Sequence, residues 1–286
     1  MNAEEYAARQ AVVSAAVANY ILQLGKLFQA PRLSLQDWLS FLEALYPEVY
    51  QKRLEAAELA RQFHDSERRR HGRAFQPRFL VEYDFREFVL DMEPARELMQ
   101  REMAPPSALG DVALRAVRSV ENAGRKQIIR AVEDDQETGT VKGWARVATG
   151  RETCAWCLML ISRGPVYSSA ENAGLDLDDE SAAQLFRDSG GDLKKLAAYV
   201  DENELMKEWH TGCDCKVVPV YDRASWPGRD AQKRAEKWWI EATKEARRLI
   251  DSGEARSDNL NKEAQNALRR RLERGDLSMT RFALAA

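Results

Sequence analysis

Two short segments, Cys154-Ala155-Trp156-Cys157 and His210-Thr211-Gly212-Cys213-Asp214-Cys215, decide how this chain folds. They hold all four cysteines of the 286-residue sequence and one of its three histidines. A Cys-x-x-Cys turn can direct two sulfur atoms at one metal ion, and a Cys-x-Cys pair on an extended segment places both thiols on one face. The sequence therefore predicts that the two segments meet, although 52 residues separate them.

Ligand pairs on either side of a long insert are the usual layout of a structural zinc site. The candidate metal ligands are Cys154, Cys157, His210, Cys213 and Cys215. Zinc takes four ligands in such sites, so an all-cysteine site and a site of three cysteines plus the histidine are both open. The alternatives are free thiols, small strained disulfides, or a redox pair. A redox pair would need a βαβ pattern, which is missing around the first segment. We therefore predict a closed structural zinc centre.

The same residues carry a family resemblance. The runs Arg151-Glu-Thr-Cys-Ala-Trp-Cys-Leu-Met-Leu160 and Arg163-Gly-Pro-Val-Tyr167, then the His210 segment and Val217-Val-Pro-Val220, together resemble the phage Mu F-like (MuF) minor head proteins. The second run is most similar to versions in phages of actinobacteria. The resemblance covers residues 141–221, and the combined pattern is more specific than either cysteine pair alone.

The resemblance implies a minor component of a tailed-phage head. Such a protein would be assembled in the host cytoplasm and would reside in the virion. Its expected partners are the portal, the scaffold or the major capsid protein, with packaged DNA as a further contact. The segment between Cys157 and His210 is longer than the short insert typical of the family. It therefore indicates an inserted helical lobe within the module.

The composition, with 44% hydrophobic and 31% charged residues, fits a helix-rich protein. We expect a mainly α, α+β chain in three parts. Residues 1–138 form a helical region, and residues 139–222 form a small zinc-stapled MuF-like α+β module with an acidic helical insert. Residues 223–286 form C-terminal helices and a tail. Residues 165–214 contain 12 acidic and four basic residues, which defines the acidic insert.

Apolar residues at helical spacing predict helices over residues 3–29, 35–70, 79–103, 107–135, 178–190, 192–208, 229–252 and 258–274. Ser34 and Asp37 form the pattern of a capping box at the start of the second helix. Pro47 is expected to kink or split that helix, and Pro94 to interrupt the next one.

Two strands are predicted beside the candidate ligands. Residues 141–148 alternate in the manner of a strand, and residues 215–221 form the second, with Pro219 indicating an edge position or an early end. Pairing of these strands would bring both ligand groups together. The tryptophans that flank the ligands, Trp144, Trp156 and Trp209, are expected to form a small core around the metal.

The sequence does not favour an enzyme. It lacks the Gly-x-Ser-x-Gly, His-Glu-x-x-His and phosphate-loop motifs. His64 and His71 lie in a charged segment and are expected at the surface. One alternative remains a zinc-dependent hydrolase or transferase that uses a carboxylate among Glu152, Glu208 and Asp214.

A second alternative is a DNA-binding accessory protein. Its contacts would be the basic segments 61–78 and 228–286. The net charge of −3 argues against a general nucleic-acid coat, which is usually basic overall. We expect no membrane association, because no uninterrupted run of ~18 apolar residues occurs.

Overall fold

The computed structural model describes residues 1–28, 33–74, 83–101, 104–105, 107–137, 139, 141–149, 153–165, 209, 211–213 and 215–277. Within these residues the chain forms seven α-helices, one short 3-10 helix and two β-strands, which confirms the mainly α, α+β class. The chain divides into two compact units, Met1–Ile128 and Ile129–Ala286. The three-part division expected from the sequence stays a prediction.

Four helices begin in the first unit. The first, second and fourth follow the predicted bounds within a few residues, whereas the third is shorter than the helix predicted over 79–103. The four helices are α1 (Ala3–Leu24), continued by the 3-10 helix Gly25–Phe28, α2 (Leu35–Arg70), α3 (Phe85–Met99) and α4 (Ser107–Glu137). The core of this unit consists of fully buried apolar side chains from all four helices, among them Val17, Ile21, Trp38, Phe41, Leu45, Phe88, Met92, Val112 and Val120.

Local polar contacts fix the ends of α2. The Ser34 hydroxyl accepts the backbone N–H of Asp37 at 3.1 Å, and the Asp37 carboxylate accepts the Ser34 N–H at 3.2 Å, so the predicted capping box is confirmed. At the other end Gly72 adopts φ +67°, and the Arg73 N–H donates to the Arg68 carbonyl at 2.9 Å. This is the pattern of a glycine-terminated helix.

The interruption expected at Pro94 is wrong, because α3 runs through this residue. The helix α2 runs through Pro47 and is not split, and the expected kink there stays a prediction. A proline inside a helix costs about 3 kcal/mol. In α3 the buried residues Phe88 and Met92 before Pro94, and Ala95 and Met99 after it, belong to one core. Burial of both halves of the helix therefore offsets the local cost.

A buried polar network joins α2 to α4. The Arg53 guanidinium donates to the Ser119 hydroxyl at 2.9 Å and lies 3.6 Å from the centre of the Tyr83 ring. The Ser119 hydroxyl donates to the Tyr83 oxygen at 2.8 Å, and the Tyr83 hydroxyl donates to Asp91 at 2.7 Å. These hydrogen bonds link Arg53, Ser119, Tyr83 and Asp91, and they help to align the helices that carry them.

The prediction that His64 lies at the surface is wrong. Its side chain is 1% exposed, whereas His71, the C-cap of α2, is exposed as expected. Burial, followed by the nearby positive charges of Arg68 and Arg61, lowers the pKa of His64 from 6.5 to about 3. The imidazole is therefore neutral in the folded protein at physiological pH.

The segment Ala3–Phe28 has the length and apolar composition of a membrane-crossing helix. Core helices of soluble proteins pass the same test. Here Val13, Val17 and Ile21 are buried in the core of the first unit, although only 22% of the most apolar stretch is buried. One such helix is weak evidence for a membrane span.

The second unit contains a two-stranded antiparallel sheet and three helices in the described residues. They are β1 (Trp144–Val147), α5 (Ala155–Ser162), β2 (Lys216–Pro219), α6 (Arg229–Asp251) and α7 (Leu260–Glu273). The register pairs Trp144 with Pro219 and Val147 with Lys216, so both predicted strands and their pairing are confirmed. The strand β2 ends at Pro219. The helices predicted over 178–190 and 192–208 lie outside the described residues.

The helices α6 and α7 pack against each other and against α5. Their buried residues include many small ones, Ala235, Ala242 and Ala246 on α6 and Ala264 and Ala267 on α7. Small side chains allow close approach of two helices. Ion pairs of Arg270 and Arg271 on α7 with Glu245 on α6 also link the two helices.

Candidate metal centre

The first cysteine pair spans the start of helix α5. Cys154 is the N-cap residue, in an extended conformation, and its sulfur accepts the backbone N–H of Cys157 at 3.5 Å. Cys157 is the third residue of the helix and is completely buried. Backbone N–H groups at a helix N-terminus stabilise negative charge, so they would favour a metal-bound thiolate at this position.

The second pair lies where the chain enters β2. Gly212 has φ +81°, a conformation that favours glycine, and it immediately precedes Cys213. Cys215 directly precedes the first residue of β2, and both thiols are buried. The antiparallel pairing of β1 with β2 carries this segment back to the region of the first pair.

The two pairs converge on one point. The Cys157 and Cys213 sulfur atoms are 3.4 Å apart, and the sulfur atoms of Cys157, Cys213 and Cys215 all lie within 4.8 Å of one another. Four thiolates around a zinc ion, each at ~2.3 Å, would place their sulfur atoms roughly 3.8 Å apart. A disulfide requires about 2.05 Å, and all four cysteines are free. The cluster can therefore hold a metal ion.

The thiol of Cys157 lies at the centre of this arrangement. Hydrogen bonds with the side chains of Cys154, Cys213 and Cys215, in that order, and then burial raise the pKa of Cys157 well above its usual range. The Cys154 thiol thus contacts that of Cys157, but it lies outside the cluster of three sulfur atoms. Metal binding at such a site must displace thiol protons, which couples occupancy to folding.

The remaining predicted site residue, His210, lies outside the described residues. The carboxylates of Glu152, Glu208 and Asp214, which the alternative of a zinc-dependent enzyme requires, also lie outside the described residues. The structure therefore brings together four of the five predicted ligands: three as a buried cluster, and Cys154 through its contacts with Cys157. The choice between an all-cysteine site and one that includes the histidine stays a prediction.

Buried aromatic and cationic side chains lie on the paired strands and beside the second cysteine segment. Trp144 and Trp209 stack with ring centres 6.5 Å apart and are both buried, whereas Trp156 is half-buried. Their expected role as a core around the metal stays a prediction. Arg146 and Lys216, on the paired strands, are also buried. The alternating pattern of β1 did not single out this arginine, because arginine is usually a solvent-facing residue in a strand.

Two glutamines hold the ligand-bearing helix α5 in place. The Gln232 side-chain amide donates to the Ser162 carbonyl, at the C-terminus of α5, at 2.9 Å. The Gln265 amide contacts the Met159 sulfur at 3.5 Å. These contacts come from α6 and α7 respectively, so both helices help to position α5. Sequence reasoning missed both residues, since neither belongs to a motif.

Comparison with known proteins assigns the family. The VG15 protein family matches residues 1–240. The chain is 51% identical to the Gene 15 protein of Mycobacterium phage L5 over the full length of both proteins. It is 50% identical to the Gene 15 protein of Mycobacterium phage D29, over 96% of this chain and all of that protein. No solved structure matches the chain.

The chain therefore belongs to the VG15 family, a family of phage proteins. As a phage-encoded protein it is made in the cytoplasm of the host.

Proposed function

We propose that this chain is a minor head protein of a tailed phage, with a structural rather than catalytic role, whose second unit is closed by one zinc ion. The observation that carries the proposal is that Cys157 of the first pair and Cys213 and Cys215 of the second form one buried cluster. Membership of a phage protein family supports the phage setting. The MuF-like motif in residues 141–221 supports a role in the phage head.

The donor set favours zinc and a closed site. Thiolate-rich tetrahedral donors select zinc over magnesium or calcium. A catalytic zinc keeps a position open for water or substrate, whereas a structural zinc has four protein ligands. Cys157, Cys213 and Cys215 are buried, and the Cys154 thiol contacts that of Cys157. Four thiols on one ion would leave no coordination position for a substrate.

The proposed partners are the portal, the scaffold or the major capsid protein, and the proposed location is the virion. The zinc would have no part in a reaction. Its contribution would be folding free energy, which fixes α5 and the β1–β2 sheet so that the helical surfaces of the chain can contact those partners.

Quantitative mass spectrometry of purified particles and of empty precursor shells tests this proposal. The copy number of the chain is measured in each, with the major capsid protein as the internal standard and an abundant host protein as the control for contamination. We expect a low, fixed copy number in both. Absence from both, or a level no higher than that of the host protein, would contradict the structural role.

A further inference from the structure

Arg146 is a buried cation for which the described residues show no counter-charge. The residue lies in β1 and is 1% exposed. In the part of the chain that the structure describes, neither its Nε nor its Nη2 atom has a hydrogen-bond partner. Its guanidinium carbon lies 3.8 Å from the centre of the Trp209 ring, which contributes a cation–π contact. A guanidinium removed from water in this way requires a nearby negative charge.

The strand register places Arg146 on the side of the sheet that carries a predicted ligand. Arg146 pairs directly with Val217, so the two side chains share a face. Cys215 is two residues before Val217 and, by the alternation of an extended chain, lies on that face too. Diagonal neighbours of this kind are roughly 7–8 Å apart.

The cysteine cluster can supply the missing negative charge. A zinc ion bound by three or four thiolates keeps a net negative charge, and burial makes that charge costly unless a cation lies near it. The other buried cation of the sheet, Lys216, is adjacent to Cys215 in sequence and therefore points to the opposite face. Arg146 is thus the cation on the face of Cys215.

We infer that Arg146 is the counter-cation of the metal–thiolate centre, a positioning residue that raises metal affinity through its charge without binding the metal. This inference rests on the zinc site of the proposed function. The sheet would then have two roles at the centre: β2 follows the ligand Cys215, and β1 supplies the charge that offsets the thiolates.

The test compares zinc affinity in the full-length protein, measured by competition with a chromogenic chelator, for the wild type, Arg146→Lys and Arg146→Met. We expect the methionine variant to bind zinc roughly ten- to a hundredfold more weakly, the range found when outer-sphere partners of a metal site are lost. The lysine variant keeps the charge and should retain most of the affinity.

The control is Arg53→Met, which removes a buried arginine from the other unit and should leave zinc affinity unchanged. Cobalt(II) absorption provides a second readout. The thiolate-to-cobalt bands should persist in Arg146→Met, because the ligands are intact. If the methionine variant does not fold, Arg146→Gln replaces it in the comparison with Arg146→Lys.

Two results would overturn the inference while leaving the zinc site in place. One is wild-type affinity in the neutral variants. The other is a lysine variant as weak as the methionine variant, which would assign the role of Arg146 to its shape and its stacking on Trp209. A wild-type protein that binds no zinc would overturn both this inference and the proposed metal centre.

Discussion

The sulfur atoms of Cys157 and Cys213 lie 3.4 Å apart, although the two residues are 56 positions apart in sequence. Two local structures produce this contact: the N-terminus of α5, which holds Cys154 and Cys157, and the turn at Gly212, which leads through Cys213 into β2. The second unit thus closes a long loop of chain at one buried point. A metal ion bound there would stabilise the whole unit.

Replacing single cysteines should separate the ligands from one another. We expect Cys157→Ser, Cys213→Ser and Cys215→Ser each to reduce zinc affinity by more than roughly a hundredfold, because each removes a direct ligand. The contact of the Cys154 thiol with Cys157 predicts the same loss for Cys154→Ser. Zinc per chain, measured by elemental analysis, reports the result.

The His210→Ala variant tests whether the fourth ligand is the histidine or Cys154. An all-cysteine centre predicts that this variant retains its zinc. Loss of zinc in His210→Ala, with retention in Cys154→Ser, would instead assign the fourth position to the histidine.

Gly228 should tolerate no side chain. It precedes α6 with φ +93°, and an added Cβ would lie 2.8 Å from two carbon atoms of Val147 in β1. We expect Gly228→Ala to lower the free energy of unfolding of the second unit by about 2–4 kcal/mol, from the unfavourable backbone conformation and the overpacking together.

Gly253→Ala separates these two contributions. Gly253 also has a positive φ, +73°, but no atom lies within 4 Å of an added Cβ. Its alanine variant should lose only about 1–2 kcal/mol. Equal losses in the two variants, measured by urea unfolding, would show that contact with Val147 does not matter.

The buried His64 predicts an acid-sensitive first unit. Its folded pKa, about 3, lies below the ordinary value of 6.5, so the unfolded chain binds more protons between these pH values. Stability contributed by the neutral imidazole is present above pH 6.5 and is lost as pH falls towards 3. From pH 7 to pH 4 we expect a loss of up to about 3 kcal/mol in the free energy of unfolding.

His64→Gln should remove most of that pH dependence, whatever its effect on stability at pH 7. His71→Gln, at the exposed C-cap of α2, is the control and should behave like the wild type. Urea unfolding at both pH values, followed by circular dichroism, measures the difference. An unchanged pH dependence in the His64 variant would show that other groups cause it.

A network of ion pairs should stabilise the contact between α6 and α7. Arg270 and Arg271 donate to Glu245 at 2.9 and 3.0 Å. Burial alone would raise the pKa of Glu245, but these hydrogen bonds and charges together lower it. We expect Glu245→Gln to cost about 0.5–1 kcal/mol, with a smaller loss in high salt. The control is Glu273→Gln, which changes an exposed residue and should have little effect.

Much of the fold follows from local sequence rules. The apolar periodicity, the Ser34–Asp37 cap and the glycine after α2 predict helix bounds because each acts within a few residues. The pairing of the two strands joins residues far apart in sequence. It could be predicted because a shared metal site requires the two cysteine segments to lie close together. The interruption at Pro94 was predicted wrongly for the opposite reason: the core contacts that carry α3 through this residue come from other helices and are invisible in a local window.

For the candidate site, too, some residues could be predicted from the sequence and others could not. Its thiols could be predicted, because ligand spacing is written in the sequence. His64 and Arg146 could not be placed, since a charged residue type normally indicates a solvent-exposed position. Their burial depends on which elements pack over them, such as Trp209 over Arg146.

If the four cysteines close one metal centre, the folding of the second unit depends on metal. Native mass spectrometry of the full-length protein, purified in reducing buffer, tests this directly when combined with thermal unfolding in the presence and absence of a chelator. We expect one zinc ion per chain, and a lower unfolding temperature for the second unit once the chelator removes it. A metal-free reduced protein that unfolds at the same temperature with and without chelator would rule out the metal centre.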